Sequence, residues 1–324
     1  MEDGNDDSHG WNLTESDPGV FTELLKTLGV PLQVDDLYSL DADSLAALQP
    51  IRALIFLFKW IPTSGDASSS TAGGQYDRDF HGFFAHQVVQ NACATLAVLN
   101  ALGNIPALTT GTQLAELNAF TKEMDPQTRG MVITSADWLR EAHNSLTPPS
   151  AISLDGLGLQ KTSEDAYHFI VYMPIMGSLY ELDGLKQFPV RHGAYGGNRR
   201  RMAADSAVET IEARIATYPA AALEFSLLAL RDDPLPLLES RLSALQDSSE
   251  AAEIVVQISN ENSKRERWAF ENSLRRHNHV GLVHALAVAL AKAGRLESSK
   301  ESAKKVMKER IEARKAKGAD MSDD

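Results

Sequence analysis

The stretch AHQVVQNACATLAVLNALGN, residues 85–104, holds the only cysteine of a 324-residue chain. A catalytic thiol needs three supports: a thiolate form, a partner that takes and returns protons, and donors for the charge that builds on the attacked carbonyl. The residues around Cys93 can supply the first. Asn91 is a good helix cap, Gly103 is a good stop, and Leu96, Leu99, Leu102 and the alanines between them predict a buried helix. Counted from Asn91 as cap, Cys93 is the second helical residue. There the positive end of the helix dipole favours thiolate, and the backbone N–H of Cys93 has no helical acceptor and can meet an oxyanion. The same placement suits a small buried apolar residue, so position alone does not decide.

The proton partner comes from a second segment, YHFIVYMPIMGSLYELDG, residues 167–184. It reads as two strands joined by a turn at Met176-Gly177. A two-residue loop there pairs Ile175 with Ser178, Ile170 with Asp183 and His168 with Leu185. Alternation then places His168 and Asp183 as diagonal neighbours on one face, within side-chain reach. A carboxylate in that position holds an imidazole in one tautomer and stabilises its cation. A slip of one residue would turn Asp183 to the other face. Gln87, six positions before Cys93, has a side-chain amide able to donate to an oxyanion.

Other elements must hold these groups. ESDPGVFTELLKTLG predicts a helix capped by Ser16, with Pro18 in its first turn, an apolar stripe of Phe21, Leu24, Leu25 and Leu28, and a stop at Gly29. Residues 52–60, RALIFLFKW, predict a buried strand. Residues 63–75 and 147–160 read as loops by their Gly, Ser and Pro content, and DDPLPLL, 232–238, reads as a linker. Beyond it the pattern is helical to the end.

Composition limits the classes. The net charge is -13, with the acid concentrated in the N-terminal two-thirds, which argues against a nucleic-acid partner and suits a basic one. Apolar runs such as Ala53 to Phe58 are too short to span a membrane, and the acidic start MEDGNDDSHG resembles neither a secretory signal nor a transit peptide. A lone cysteine forms no internal disulfide and no multi-cysteine zinc site, so cytoplasm and nucleus are the expected compartments.

Three segments, FFAHQVVQNACATLAVL, YHFIVY and LYELDGL, together resemble the ubiquitin C-terminal hydrolases, a family of cysteine peptidases. ESDPGVFTELL, IFLFKW and LEFSLLALRDD extend the resemblance across the first two-thirds of the chain, and SLRRHNHVGLVHALAVALAKAG resembles the C-terminal helical module of the family's long subtype. The resemblance implies an α+β papain-like fold, with a central antiparallel sheet flanked by helices and a knotted backbone, followed by helices. It implies a catalytic domain over 11–231 and a partner-docking helical module over 232–300, while composition alone marks 1–10 as a disordered acidic tail and 301–324 as a charged tail. Carried over residue by residue, Cys93 is the nucleophile, His168 the general base and acid, Asp183 its orienter and Gln87 the oxyanion donor. No metal or organic cofactor is implied. The loop 147–160 would cross the active-site cleft.

The implied reaction is cleavage of amide, isopeptide or ester bonds at the C-terminal glycine of ubiquitin. The implied partners are ubiquitin conjugates and, through the C-terminal helices, a proteasomal ubiquitin receptor, since length and short connections resemble the proteasome-associated branch of the subtype. Three rivals stand beside this reading: a papain-like peptidase without ubiquitin specificity, an inactive ubiquitin-binding scaffold, and a deubiquitinase of chromatin complexes.

Overall fold

A computed structural model describes residues 9–59, 73–147, 167–194, 199–218, 225–245, 248–277 and 280–319. The expected crossing loop, the knot that depends on its path, and most of the loop 63–75 lie outside the described residues. The chain divides into two compact units, one reaching Arg276 and the other starting at His277.

The first unit is built on a seven-stranded sheet in the order β1 (Leu32–Asp36), β7 (Phe225–Asp232), β2 (Ile51–Lys59), β4 (Tyr167–Ile175), β5 (Ser178–Leu182), β6 (Val190–Ala194) and β3 (Gln75–Tyr76). Every pairing is antiparallel. The edge strand β3 occupies the end of the expected loop 63–75. The central strands carry apolar side chains on both faces because both faces are covered. On one face Ala53, Ile55, Phe169, Val171 and Met173 join a core with helices α1 (Pro18–Thr27) and α3 (Cys93–Leu102). On the other, Leu54, Phe56, Phe58, Ile170 and Tyr172 join a smaller core with α2 (Ala42–Ala47) and α7 (Arg199–Ile215).

Helix α1 starts one residue later than a Ser16 cap predicts. Asp17 is the cap, its carboxylate accepting from the Val20 N–H at 3.0 Å, and Pro18 takes the first helical position. Its predicted stripe is buried, and Gly29 closes it at φ 69°.

The expected linker at 232–238 is instead the end of β7 and the first turn of α8 (Pro234–Ala244), capped by Asp233. The division expected after Arg231 therefore falls inside the first unit. Helix α9 (Ser248–Arg275) is latched to the same unit. Trp268 packs where Gly19 leaves no side chain: a Cβ there would come within 2.7 Å of the indole. Asn272 Nδ2 donates to the Gly19 carbonyl at 3.0 Å, Lys264 pairs with Asp35 at 2.7 Å, and Arg275 pairs with Asp17 at 2.8 Å.

The second unit contains α10 (Val280–Lys292) and α11 (Leu296–Ala319), separated by a left-handed Gly294. Helix α11 carries Glu297–Lys300 and Glu301–Lys304 pairs, the pattern of a solvated face. Among the described residues no helix is long and apolar enough to cross a membrane.

Candidate active site

Cys93 opens α3, all ten residues of which are buried. The helix starts one residue later than expected. Asn91 is not its cap: it takes a left-handed conformation at φ 64°, and its Nδ2 donates to the Trp11 carbonyl at 3.0 Å. Ala92 stands at the cap position with no side-chain bond, and Cys93 is the first helical residue. The physical consequence survives the shift, because an N–H at the first helical position also lacks a helical acceptor. Leaving the helix end without a side-chain cap keeps its N–H groups free for a ligand.

The β4–β5 hairpin has the register that a Met176-Gly177 turn dictates. Both turn residues have positive φ, 47° and 84°, and Ile175 pairs with Ser178 and Val171 with Leu182. His168 and Asp183 consequently meet: Nε2 and Asp183 Oδ1 lie 2.6 Å apart with both side chains buried. Burial lowers the His168 pKa, but Asp183 and a hydrogen bond with Cys93 outweigh it and push the value up to about 9. With Nε2 committed to Asp183, Nδ1 is the nitrogen left for the Cys93 sulfur. Asp183 is likewise buried, which raises its pKa, yet the imidazolium beside it holds the carboxyl below its ordinary value. The arrangement favours a protonated imidazole beside the Cys93 sulfur.

A second buried histidine shows what the first gains from its partner. His143, on α6 (Asp137–Asn144), contacts Thr95 of α3 at 2.8 Å through Nδ1 and the Asn12 carbonyl at 2.7 Å through Nε2. Burial pushes its pKa down. As a neutral imidazole it donates from Nε2 to the carbonyl and accepts the Thr95 hydroxyl proton, and so braces α3 from below.

Gln87 lies in the segment 83–87, which two asparagines of the α3 region hold alongside the helix. Asn100 receives the Ala85 N–H at 2.8 Å and donates to the Ala85 carbonyl at 3.2 Å. Asn104 treats Phe83 in the same way, at 2.9 and 2.7 Å. From the far side, Arg129 of α5 (Pro126–Thr134) donates to the carbonyls of Phe84 and Met124 at 2.6 and 2.8 Å. Gly130 of α5 lies so close to the His86 carbonyl that any Cβ would collide with it. The sequence reading missed these four residues, although an Asn within an otherwise apolar helix was a visible sign of a buried backbone partner.

The Gln87 N–H donates to the Gly184 carbonyl at 2.8 Å, joining the segment to the turn that follows Asp183. The Gln87 carboxamide oxygen is buried and has no hydrogen-bond partner among the described residues. Gln87, Val88, Val89, Gln90, Leu185 and His9 line a shallow cleft of about 290 Å³. Among the described residues, no group of three or more His, Cys, Asp or Glu side chains is gathered to hold a metal ion. The geometry thus joins a helix-end thiol, an oriented imidazole and a carboxamide, the parts of a thiol acyl-transfer site.

Comparison with known proteins agrees in kind. Residues 11–216 match the family described as ubiquitin carboxyl-terminal hydrolase, family 1, and residues 251–296 match a second profile described as ubiquitin carboxyl-terminal hydrolases. The chain is 40% identical over 284 residues to ubiquitin carboxyl-terminal hydrolase 2 of Schizosaccharomyces pombe, covering 87% of this chain and 91% of that protein. It is 38% identical to ubiquitin carboxyl-terminal hydrolase ubh-4 of Caenorhabditis elegans, covering 94% of each. The crystal structure of Trichinella spiralis UCH37 bound to ubiquitin vinyl methyl ester is similar with a TM-score of 0.64 at 33% identity, over 80% of this chain and 99% of that one.

Proposed function

The chain belongs to the family 1 ubiquitin carboxyl-terminal hydrolases and is a cysteine-type deubiquitinase, and from that premise we propose that Cys93, His168, Asp183 and Gln87 carry its reaction. The 2.6 Å contact between His168 and Asp183, in a hairpin whose register the turn fixes, is the observation that carries this reading. The Cys93 thiolate attacks the carbonyl of the C-terminal glycine of ubiquitin. The negative charge on the tetrahedral oxygen meets the Cys93 N–H and the Gln87 carboxamide nitrogen. Imidazolium His168 gives its proton to the leaving amine, and the neutral imidazole then activates the water that releases ubiquitin from the thioester. Asp183 keeps the ring aligned and its cation stable throughout.

The second unit supports a docking role. Helix α10 exposes Leu282 (60%), Val283 (61%) and Leu286 (55%), an apolar face that isolated solvation does not favour. We read this face as the anchor for a proteasomal ubiquitin receptor in the cytoplasm and nucleus, with i, i+3, i+4 side chains set into a groove of the partner. Docking in a chromatin complex is the alternative.

Hydrolysis of a fluorogenic ubiquitin C-terminal amide, set against a short non-ubiquitin peptide amide, tests the reading. Turnover of the ubiquitin substrate alone is expected. Equal turnover of both would make the chain a general peptidase, and turnover of neither would make it a binding scaffold.

A further inference from the structure

We propose that Lys186, tethered to the buried carboxylate of Glu181, is a positioning residue for catalysis that holds the turn 183–187 in the one arrangement that serves both Asp183 and Gln87. The proposal rests on the assignment of those residues to the catalytic machinery.

Glu181 of β5 is fully buried, and the Lys186 side chain, at 3% exposure, donates to its Oε1 at 2.6 Å. Taking both charges out of water is costly, and the turn itself does not demand it. Its backbone is already closed by the Lys186 N–H to the Asp183 carbonyl at 2.9 Å and by the Leu185 N–H to Asp183 Oδ1 at 3.0 Å. Those bonds shape the turn but do not fasten it to the core. Leu185 cannot fasten it either, since it is 53% exposed. The Lys186 side chain runs from the turn into the protein and ends on a group that is itself fixed.

Glu181 is an immovable anchor. Its Oε1 also accepts from Arg214 at 2.9 Å, and its Oε2 accepts from the Tyr172 hydroxyl at 3.0 Å and faces His192 Nε2 at 3.3 Å. Burial raises its pKa, but Arg214, His192 and Lys186 together hold the carboxyl well below the ordinary range, so it stays charged.

Three points of the tethered turn join it to the site. Asp183 starts it and meets His168, while the Gly184 carbonyl receives the Gln87 N–H at 2.8 Å and the Gln187 carbonyl contacts His86 Nε2 at 3.1 Å. A shift of the turn therefore displaces the imidazole orienter and the oxyanion segment together. The same anchor reaches His168 from behind: the Arg214 guanidinium lies 4.7 Å over the Phe58 ring, and that ring meets the His168 ring edge-on at 5.8 Å. A displacement of about 1 Å in such a site costs as much as a hundredfold in rate.

Lys186→Met in the full chain tests the proposal. The substitution is close in volume and leaves Glu181 paired with Arg214, Tyr172 and His192. The expected result is a folded protein whose KM for the fluorogenic ubiquitin amide stays within about twofold while kcat falls about tenfold or more, with most of the loss restored by Lys186→Arg. Lys186→Gln, which keeps a donor but shortens the tether, is the second variant and should also lose kcat at constant KM. A lower melting temperature with wild-type kcat in either variant overturns the proposal and leaves Lys186 a brace of the fold. Cys93→Ala measured in parallel separates the two claims. Hydrolysis by Cys93→Ala at the wild-type rate removes the catalytic assignment, whereas an inactive Cys93→Ala beside fully active Lys186 variants removes the positioning role alone.

Discussion

The backbone N–H of Gln87 donates to the carbonyl of Gly184 at 2.8 Å, so the segment 83–87 and the residue next to Asp183 are joined by a hydrogen bond. Two parts of the site that are remote in sequence are thereby locked together beside α3. If Gln87 and Asp183 act as proposed, this bond couples the oxyanion donor to the orienter of His168, a form of the pre-organisation that charge stabilisation in a transition state requires.

Asp183→Asn should fold and bind ubiquitin yet turn over slowly. An amide can hold the ring but cannot stabilise its cation, and the analogous change in other triads costs about 10⁴ in kcat. Steady-state kinetics alongside ubiquitin binding by calorimetry checks this. Full activity in Asp183→Asn with an inactive His168→Ala would mean that another group orients the histidine.

The same pair fixes the pH dependence. The His168 pKa rises from an ordinary 6.5 to about 9, so the imidazolium persists through neutral pH and the alkaline limb of kcat should fall near pH 9. In Asp183→Asn that limb should move to lower pH. For stability the sign follows from linkage. The contribution of His168 is fully present below about pH 6.5 and fades as pH rises towards 9. Asp183, whose pKa is depressed, contributes above its unfolded value and loses that contribution on acidification.

Asn100→Ala should cost about 2 kcal/mol or more, because the N–H and C=O of Ala85 would be left buried and unpaired. Urea denaturation measures the loss. The kcat of the folded fraction should fall as well, since Gln87 is two residues from the released backbone.

Truncation after Arg276 should leave a folded enzyme that still cleaves small ubiquitin amides, whereas truncation after Arg231 should not. The shorter form loses the Trp268 seat on α1 and the Lys264–Asp35 and Arg275–Asp17 pairs. Trp268→Ala alone should cost about 3–5 kcal/mol, read by thermal melting of the longer form.

Leu282→Asp with Leu286→Asp should abolish co-purification with proteasomes and leave cleavage of the small ubiquitin amide unchanged, because both side chains are exposed on α10. Retained proteasome binding would move the docking surface elsewhere.

The sequence made the chemistry more legible than its supports. Met176-Gly177 determines the hairpin register by turn geometry alone, so the meeting of His168 with Asp183 could be read without a structure. The helices expected from caps at Ser16 and Asn91 each start one residue later, because Asp17 outcompetes Ser16 for the cap of α1 and a tertiary partner decides at Asn91. Asn91 was drawn away by the Trp11 carbonyl. The latch of α9 was invisible because Trp268 and Gly19 meet only through the fold, and DDPLPLL has the composition of a linker whether or not a strand ends in it. Lys186 was hidden for the same reason: nothing local distinguishes a surface lysine from one that ends on a buried Glu181.

Mass mapping of the adduct formed with ubiquitin vinyl methyl ester, on the wild type and on Cys93→Ala and His168→Ala, tests the role of Cys93 as nucleophile. One ubiquitin per chain is expected, attached through the Cys93 sulfur, with no adduct in Cys93→Ala and a rate lower by orders of magnitude in His168→Ala. Adduct formation by Cys93→Ala, or wild-type labelling by His168→Ala, would contradict it.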